Sequence, residues 1–298
     1  MSRGVYRRDL IPIISLGLFC LFLFRAIIIG NHLLAGKDFL DFYLPMKQFL
    51  YDQIHKRHSI PLWNPYIFGG MPFWAHFEST IFYPLGFLFL LLDPARAYGY
   101  TMFLHLLAAG VFMYMLSRSL AIGRTGSFIA AIIFTCNGFV MALLYLGHMS
   151  PVMSYAWLPI ILFSLNKALR GENPCLWASI GGILWGIQIL AGAPQDAFYT
   201  FLAAMLFLLV SDRVYYKRSG RSLKNLIIVP LCLFLFGSGL AAIQVLPAFE
   251  LINESVREAL DNYEMVTMAS YPPEGLITWM VATGSPECLS ASHSRTST

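Results

Sequence analysis

"LIPIISLGLFCLFLFRAIIIG", Leu10 to Gly30, is an apolar run whose one charge, Arg25, lies near its end. A helix needs about 20 apolar residues to cross the hydrocarbon core of a bilayer, and this run supplies them. Arg3, Arg7 and Arg8 precede it, as basic residues precede a secretory signal peptide. The run is too long for the apolar core of a signal, and no small-x-small cleavage site follows closely. It therefore reads as a retained membrane helix. Arg25 can snorkel its head group to the interface.

The rest of the chain repeats the pattern. Of its 298 residues, 57% are hydrophobic and 12% are charged, about half the roughly 25% charge of a soluble domain. The apolar residues are bunched rather than periodic. A soluble fold would need several helices buried on every face, which a chain of this length cannot shield. Six more apolar stretches have near-spanning length: Tyr98–Leu116, Ser127–Leu146, Val152–Leu169, Leu176–Ala193, Ala197–Val210 and Leu226–Leu246. The expected fold is an all-α integral membrane protein of about seven transmembrane helices. Ile81–Leu92 is too short to cross alone and reads as a re-entrant or interfacial element.

Basic residues orient the chain. Arg3, Arg7 and Arg8 precede the first span, and Arg118 and Arg124 separate the second from the third. Lys167 and Arg170 follow the fourth span, and Arg213, Lys217, Arg218, Arg221 and Lys224 follow the sixth. The alternate turns around His148 and Pro194 hold no Lys or Arg. The positive-inside rule then predicts a cytoplasmic N-terminus. Residues 1–30 form the N-terminus and first helix, 31–97 a large extracytoplasmic loop, 98–246 six further helices, and 247–298 an extracytoplasmic segment. The final "GSPECLSASHSRTST" is small, polar and patternless, as a disordered tail would be.

Composition excludes some functions. Net charge is only +4, and no basic run is interleaved with aromatics, so nucleic acid is not a partner. Cys20, Cys136, Cys175 and Cys232 lie in apolar stretches and read as small hydrophobes; Cys288 lies in the tail. No CxxC or Cys/His cluster suggests a disulfide framework or zinc site, and no metal is expected.

In the large loop, "PLWNPYIFGGMPFWAHFES" (Pro61–Ser79) is stiffened by Pro61, Pro65 and Pro72 and reversed at Gly69-Gly70. Its aromatics suit the membrane interface. Anchoring alone does not need such rigidity, whereas positioned reactive groups do. Upstream, Met46, Phe49, Leu50 and Ile54 share one helical face, with Lys47, Gln48, Asp52, His55 and Lys56 mostly opposite. This helix lies either along the membrane surface or against the protein itself.

Candidate chemistry gathers on one side. "GKDFLDFYLPM" places Asp38 and Asp41 just beyond the first helix, where a carboxylate can act as general base or simply be solvated. His76 and Glu78 close the stiff loop, His148 stands in "GHMSP", and Gln195 and Asp196 stand in "AGAPQD". Glu250, Glu254 and Arg257 follow the last span.

Several segments, in order, resemble the bacterial YfhO-type membrane proteins: "PLWNPYIFGGMPFWA", "FYPLGFLFLLLDPARAY", "GHMSP" with "AWLPI", "AGAPQDAFYT", "QVLPAFELINESVR" and "SYPPEGLITW". The resemblance covers Gly36 to Trp279. These proteins belong to the GT-C class of glycosyltransferases, which take sugar from a polyprenyl-phosphate carrier. The resemblance implies inverting transfer to an extracytoplasmic acceptor such as lipoteichoic acid, in the bacterial cytoplasmic membrane, without further cofactor. It makes Asp38 or Asp41 the base, Lys37 being inserted before the first, and assigns substrate binding to Glu78, His148, Gln195, Glu250 and Arg257. Lys37, Arg96 and Arg257 are candidates for the donor phosphate. Ala193 stands where relatives often have His. Such proteins are usually longer, so a C-terminally truncated form is expected.

Two other classes are weighed with it. A transporter or lipid flippase predicts ionisable groups facing a path at mid-membrane depth. A truncated, non-catalytic membrane fragment predicts no transfer.

Overall fold

The computed structural model describes residues 3–30, 32–67, 69–170, 173–219 and 224–254, and helix follows helix through nearly all of them. One compact unit extends to Leu251, and residues 252–254 belong to a second. The elements are α1 (Arg3–Leu23), α2 (Arg25–Ile28), a π-helical turn (Phe39–Tyr43) running into α3 (Leu44–Arg57), β1 (Trp63–Asn64) and β2 (Met71–Pro72). Then follow α4 (Leu88–Leu91), α5 (Pro94–Ser119), α6 (Arg124–Thr135), α7 (Gly138–Leu146), α8 (Met149–Tyr155) and α9 (Leu158–Arg170). The last are α10 (Pro174–Leu190), α11 (Pro194–Ser219) and α12 (Lys224–Asn253).

Five segments are long and apolar enough to cross a membrane by length and composition: Pro94–Ser119, Arg124–Leu146, Met149–Arg170, Pro194–Ser211 and Ile227–Asn253. Asp9–Leu23 and Pro174–Leu190 are shorter apolar helices. The chain is an all-α, multi-pass membrane protein. Its apolar stretches all became helices, but not all are continuous. The Leu10–Gly30 run breaks at Phe24, where Arg25 Nη1 reaches back to the Phe22 carbonyl (2.8 Å).

The Arg124–Leu146 segment breaks at Cys136 and restarts at the Asn137 N-cap, whose side chain accepts from the Val140 N–H. The break frees the Phe134 carbonyl. Tyr155 (3.0 Å) and the Asn137 amide (2.8 Å) both donate to it. In lipid a freed backbone group must find such a partner, because no water is at hand.

α5 is the centre, packing on α1, α2, α3, α4, α6, α8 and α9. Half of its apolar window is buried in protein, as is 61% of the α8–α9 window, against 28% for α6–α7 and for α12. The former pair makes the core, and the latter expose broad apolar faces suited to lipid. Asp93 caps α5, accepting from the Ala95 N–H at 3.1 Å, with Pro94 following. At the other end of α5, Asp9 gathers Tyr114 (2.9 Å), Arg118 (3.3 Å) and Arg124 (3.0 Å), while the Asn166 amide donates to Ser119. That end collects basic side chains from α5 and α6.

Helices α10 and α12 touch backbone to backbone. A Cβ on Gly182 would lie 2.7 Å from the Leu233 carbonyl oxygen, and one on Gly186 2.8 Å from that of Gly237. This four-residue glycine spacing is how membrane helices gain close van der Waals contact without a hydrophobic drive between them.

The loop before α5 is packed on the protein. β1 and β2 pair antiparallel, Trp63 opposite Pro72 and Asn64 opposite Met71, and the Trp63 ring covers Gly70 so closely that no Cβ fits there. Of the two alternatives for α3, packing against the protein is observed: Met46, Phe49 and Leu50 join Phe73, Tyr83 and Phe89 in one buried cluster. Residues 81–92 form two short helical turns, Pro84–Phe87 and α4, with Tyr83 and Phe89 buried.

Gly186→Val should lower the thermal midpoint of the detergent-solubilised protein, at a cost of about 1–3 kcal/mol for overpacking. Gly239→Ala on α12, where a Cβ meets nothing within 4 Å, should leave the midpoint unchanged or raised.

Candidate functional site

Two glycines make the site. α7 ends in a left-handed residue, Gly147 (φ +88°), and the next N–H, that of His148, donates to the Leu143 carbonyl at 2.9 Å. With Gly147 N–H on the Leu144 carbonyl at 3.2 Å, this is a Schellman cap, which directs His148 out of the helix. Gly36 lies against this cap so tightly that a Cβ on it would stand 2.4 Å from the Gly147 nitrogen. Backbone contact thus brings "GKD" onto "GH". His148 Nε2 lies 2.7 Å from Asp38 Oδ2, both side chains partly open to solvent. An ionised carboxylate can only accept, so Nε2 carries the proton in this bond. Among the described residues only Oδ2 of Asp38 has a partner.

Phe39, next in the chain, stacks on Tyr98 of α5 (3.8 Å between ring centroids, 11° between planes), anchoring the helix start to the bundle. The π-helical turn accommodates one extra residue per turn, a feature frequent at functional sites. Further along the helix, the Tyr43 hydroxyl donates to Glu78 Oε1 at 2.9 Å and lies beside Ser150, two residues past His148. His76 Nε2 is 3.9 Å from Glu78 Oε2. Burial and the neighbouring Glu78 carboxylate push the Tyr43 phenol up, so it stays protonated and donates.

Lys47 holds this wall in place. Its side chain is fully buried, against the expectation that it lies on the polar face of the helix. It stands four residues after Tyr43 and three before Leu50, so the helical period puts it on their side. Nζ donates to the Glu78 carbonyl (3.1 Å), the Ser79 carbonyl (2.6 Å) and Thr80 Oγ1 (2.6 Å), using all three ammonium hydrogens. Thr80 is in the left-handed region at φ +49°, which for a β-branched residue costs about 1–3 kcal/mol. The Lys47 bonds hold the peptides in that form. Gly192 (φ +96°) closes the back, where a Cβ would meet Ser150 Oγ at 2.7 Å and Thr80 Cγ2 at 3.0 Å.

The structure therefore brings Asp38 and Tyr43, on one helical stretch, to His148 in the turn between α7 and α8 and to Glu78 in the loop before α5. Asp41 is exposed on that helix, and Lys37 is exposed beside Asp38. Gln195 is not drawn in: it is exposed, and its amide donates to Tyr199 on the same helix (2.7 Å). Glu250 is exposed near the end of α12, and Arg257 lies outside the described residues. Arg96 is exposed beside His32 and Tyr100. Among the described residues no cluster of three or more His, Cys, Asp or Glu side chains could hold a metal ion. Comparison of the chain with protein-family models, curated proteins and solved structures finds no match.

Sequence reasoning missed Lys47, Tyr43 and the Gly36–Gly147 contact. The helical wheel centred on Met46 and Leu50 was the signal for the first two. Nothing local marked the third.

Burial pushes the Lys47 ammonium down to about 7, against the upward pull of the Glu78 carboxylate. The unfolded chain, with Lys47 near its ordinary 10.5, then binds more protons than the folded one between pH 7 and 10.5. Stability should rise with pH across that window, and below it the stabilisation is lost. Unfolding of Lys47→Met, followed over the same pH range, should show a shallower rise than the unsubstituted chain.

Proposed function

We propose that the chain is a membrane glycosyltransferase that moves a sugar from a polyprenyl-phosphate carrier to a hydroxyl acceptor, with inversion at the anomeric carbon. The Asp38–His148 pair carries this reading. It is a carboxylate oriented by an imidazole, partly open to solvent, at the end of α5 where the large loop docks. The ordered resemblance to YfhO-type proteins supports the same class. Basic side chains gather at the opposite end of α5, around Asp9, Arg118 and Arg124. Set against the turns around His148 and Pro194, which hold no Lys or Arg, this supports a cytoplasmic N-terminus and a site on the extracytoplasmic face of a bacterial cytoplasmic membrane.

In the reaction the acceptor hydroxyl lies against Asp38 Oδ1, which takes its proton. The acceptor oxygen attacks the anomeric carbon from the face opposite the phosphate. The bond from that carbon to the phosphate oxygen breaks, and polyprenyl phosphate leaves with the electron pair. His148 keeps Oδ2 occupied and the carboxylate aimed. Lys37, next to Asp38, meets the phosphate, and Glu78, held by the Tyr43 hydroxyl, accepts from sugar hydroxyls. Between Asp38 and Asp41, the histidine partner favours Asp38 as base.

A transporter would present an ionisable group to an open path within the spans. His105, buried in α5, is the test of that reading. Its Nδ1 faces the Thr101 carbonyl and so must donate; its Nε2 accepts from Tyr83, whose oxygen accepts from Trp157. Every member is paired, which suits a structural network rather than a proton path.

Asp38→Asn should reduce transfer from labelled polyprenyl-phosphate-sugar in proteoliposomes by about 10² to 10⁴-fold, the usual contribution of a general base. Asp41→Asn should stay near the unsubstituted rate, and chelator should change nothing. Equal activity in the Asp38 variant would sink the assignment, and no transfer by the intact chain would sink the enzyme.

A further inference from the structure

An open cleft of about 530 Å³ lies between α3 and the β1–β2 turn, within the roughly 300–1,000 Å³ usual for ligand sites. Its lining combines Gln48, Asp52, Gln53, Lys56 and Arg57 of α3 with Tyr66 from the turn. Each carboxamide offers a donor and an acceptor, which matches adjacent hydroxyls. The Gln48 amide donates to Asp52 Oδ1 (3.2 Å), and Lys56 pairs with the same carboxylate (3.1 Å), so these heads form a connected polar row. Tyr66 is 76% exposed, yet it is not loose. Its N–H donates to Asn64 Oδ1 (3.0 Å), Asn64 is buried, and its ring meets Phe49 edge-on at 5.8 Å. A rigid, exposed aromatic beside paired polar groups suits a sugar ring, which has an apolar C–H face and a hydroxyl edge.

We propose that this cleft binds the hydroxyl-rich glycan chain of the acceptor. That assignment rests on the transfer reading; the binding itself does not. Pro45, at the near edge of the cleft, is seven residues from Asp38 along one continuous helical stretch, about 10 Å at 1.5 Å per residue. A chain lying in the cleft can present its terminal hydroxyl to that carboxylate.

The test is saturation-transfer NMR on the full chain in lipid nanodiscs with maltotetraose, cellotetraose and chitotetraose, and glycerol phosphate as a headgroup probe. At least one oligosaccharide should receive saturation on its ring protons. Tyr66→Ala should weaken that binding by about 5-fold or more, the effect of losing an aromatic contact, and Gln48→Ala/Gln53→Ala should weaken it as well. Both variants change exposed or half-exposed side chains, and an unchanged thermal midpoint reports that they fold. Absence of Tyr66-dependent saturation for all three sugars overturns the proposal, as does saturation of glycerol phosphate alone. Sugar transfer is measured in parallel. Transfer without Tyr66-dependent binding removes the cleft and keeps the enzyme; binding without transfer keeps the cleft and removes the enzyme.

Discussion

The buried ammonium of Lys47 is the constraint on which the loop architecture depends. A charge without water must find full hydrogen bonding or give up its proton. Here the acceptors are two consecutive backbone carbonyls and the hydroxyl of a threonine in a disfavoured conformation. The helix that carries Lys47 thereby grips residues 78–80, and Glu78 is delivered to Tyr43. Gly192 then seats the turn before α11 on the same threonine. One side chain joins the first loop, the stiff turn-rich segment and a later part of the bundle.

The inside of the bundle follows the same logic with neutral groups. Gln188 donates to the Ser154 carbonyl (3.0 Å) and Thr200 (2.8 Å), Trp185 donates to the Ala197 carbonyl (2.9 Å), and Gln244 donates to the Trp74 carbonyl (2.6 Å). The Trp185–Ala197 and Gln188–Thr200 bonds join the successive helices α10 and α11, whereas Gln188–Ser154 and Gln244–Trp74 link elements distant in sequence. In a lipid setting apolar contact does not discriminate helix from tail, so polar bonds and close glycine contacts specify which helices meet. The last of them ties α12 to the loop that precedes α5, so the candidate site rests on the later helices as well as on its own segment.

The stiffness of Pro61–Ser79 now has a structural meaning. Its two-residue strands pair in register, Asn64 caps the turn, and Trp63 closes over Gly70. Prolines and a glycine pair set a backbone that holds Tyr66 outward and Phe73 inward. The reading of this segment as an anchor for the interface and its reading as the wall of a site are compatible. Trp63 and Tyr66 stay exposed, whereas Phe73 and Ala75 are buried.

Apolar bunching alone determined that the chain is helical and lies in a membrane, because segments without enough polar residues to face water leave no other arrangement. Basic residues between spans and turn-forming prolines and glycines were equally legible, since each acts over a few residues of its own neighbourhood. Asp38 and His148 could be singled out as candidates, but not as a pair. They are separated by more than a hundred residues, and their meeting depends on two glycines whose backbones touch. Lys47 went to the wrong face because a charge in an amphipathic helix is ordinarily placed outward, and only the carbonyls of a distant loop make burial possible. Which polar groups meet was decided by tertiary structure, because hydrogen bonding in a membrane protein is satisfied across helices as well as along them.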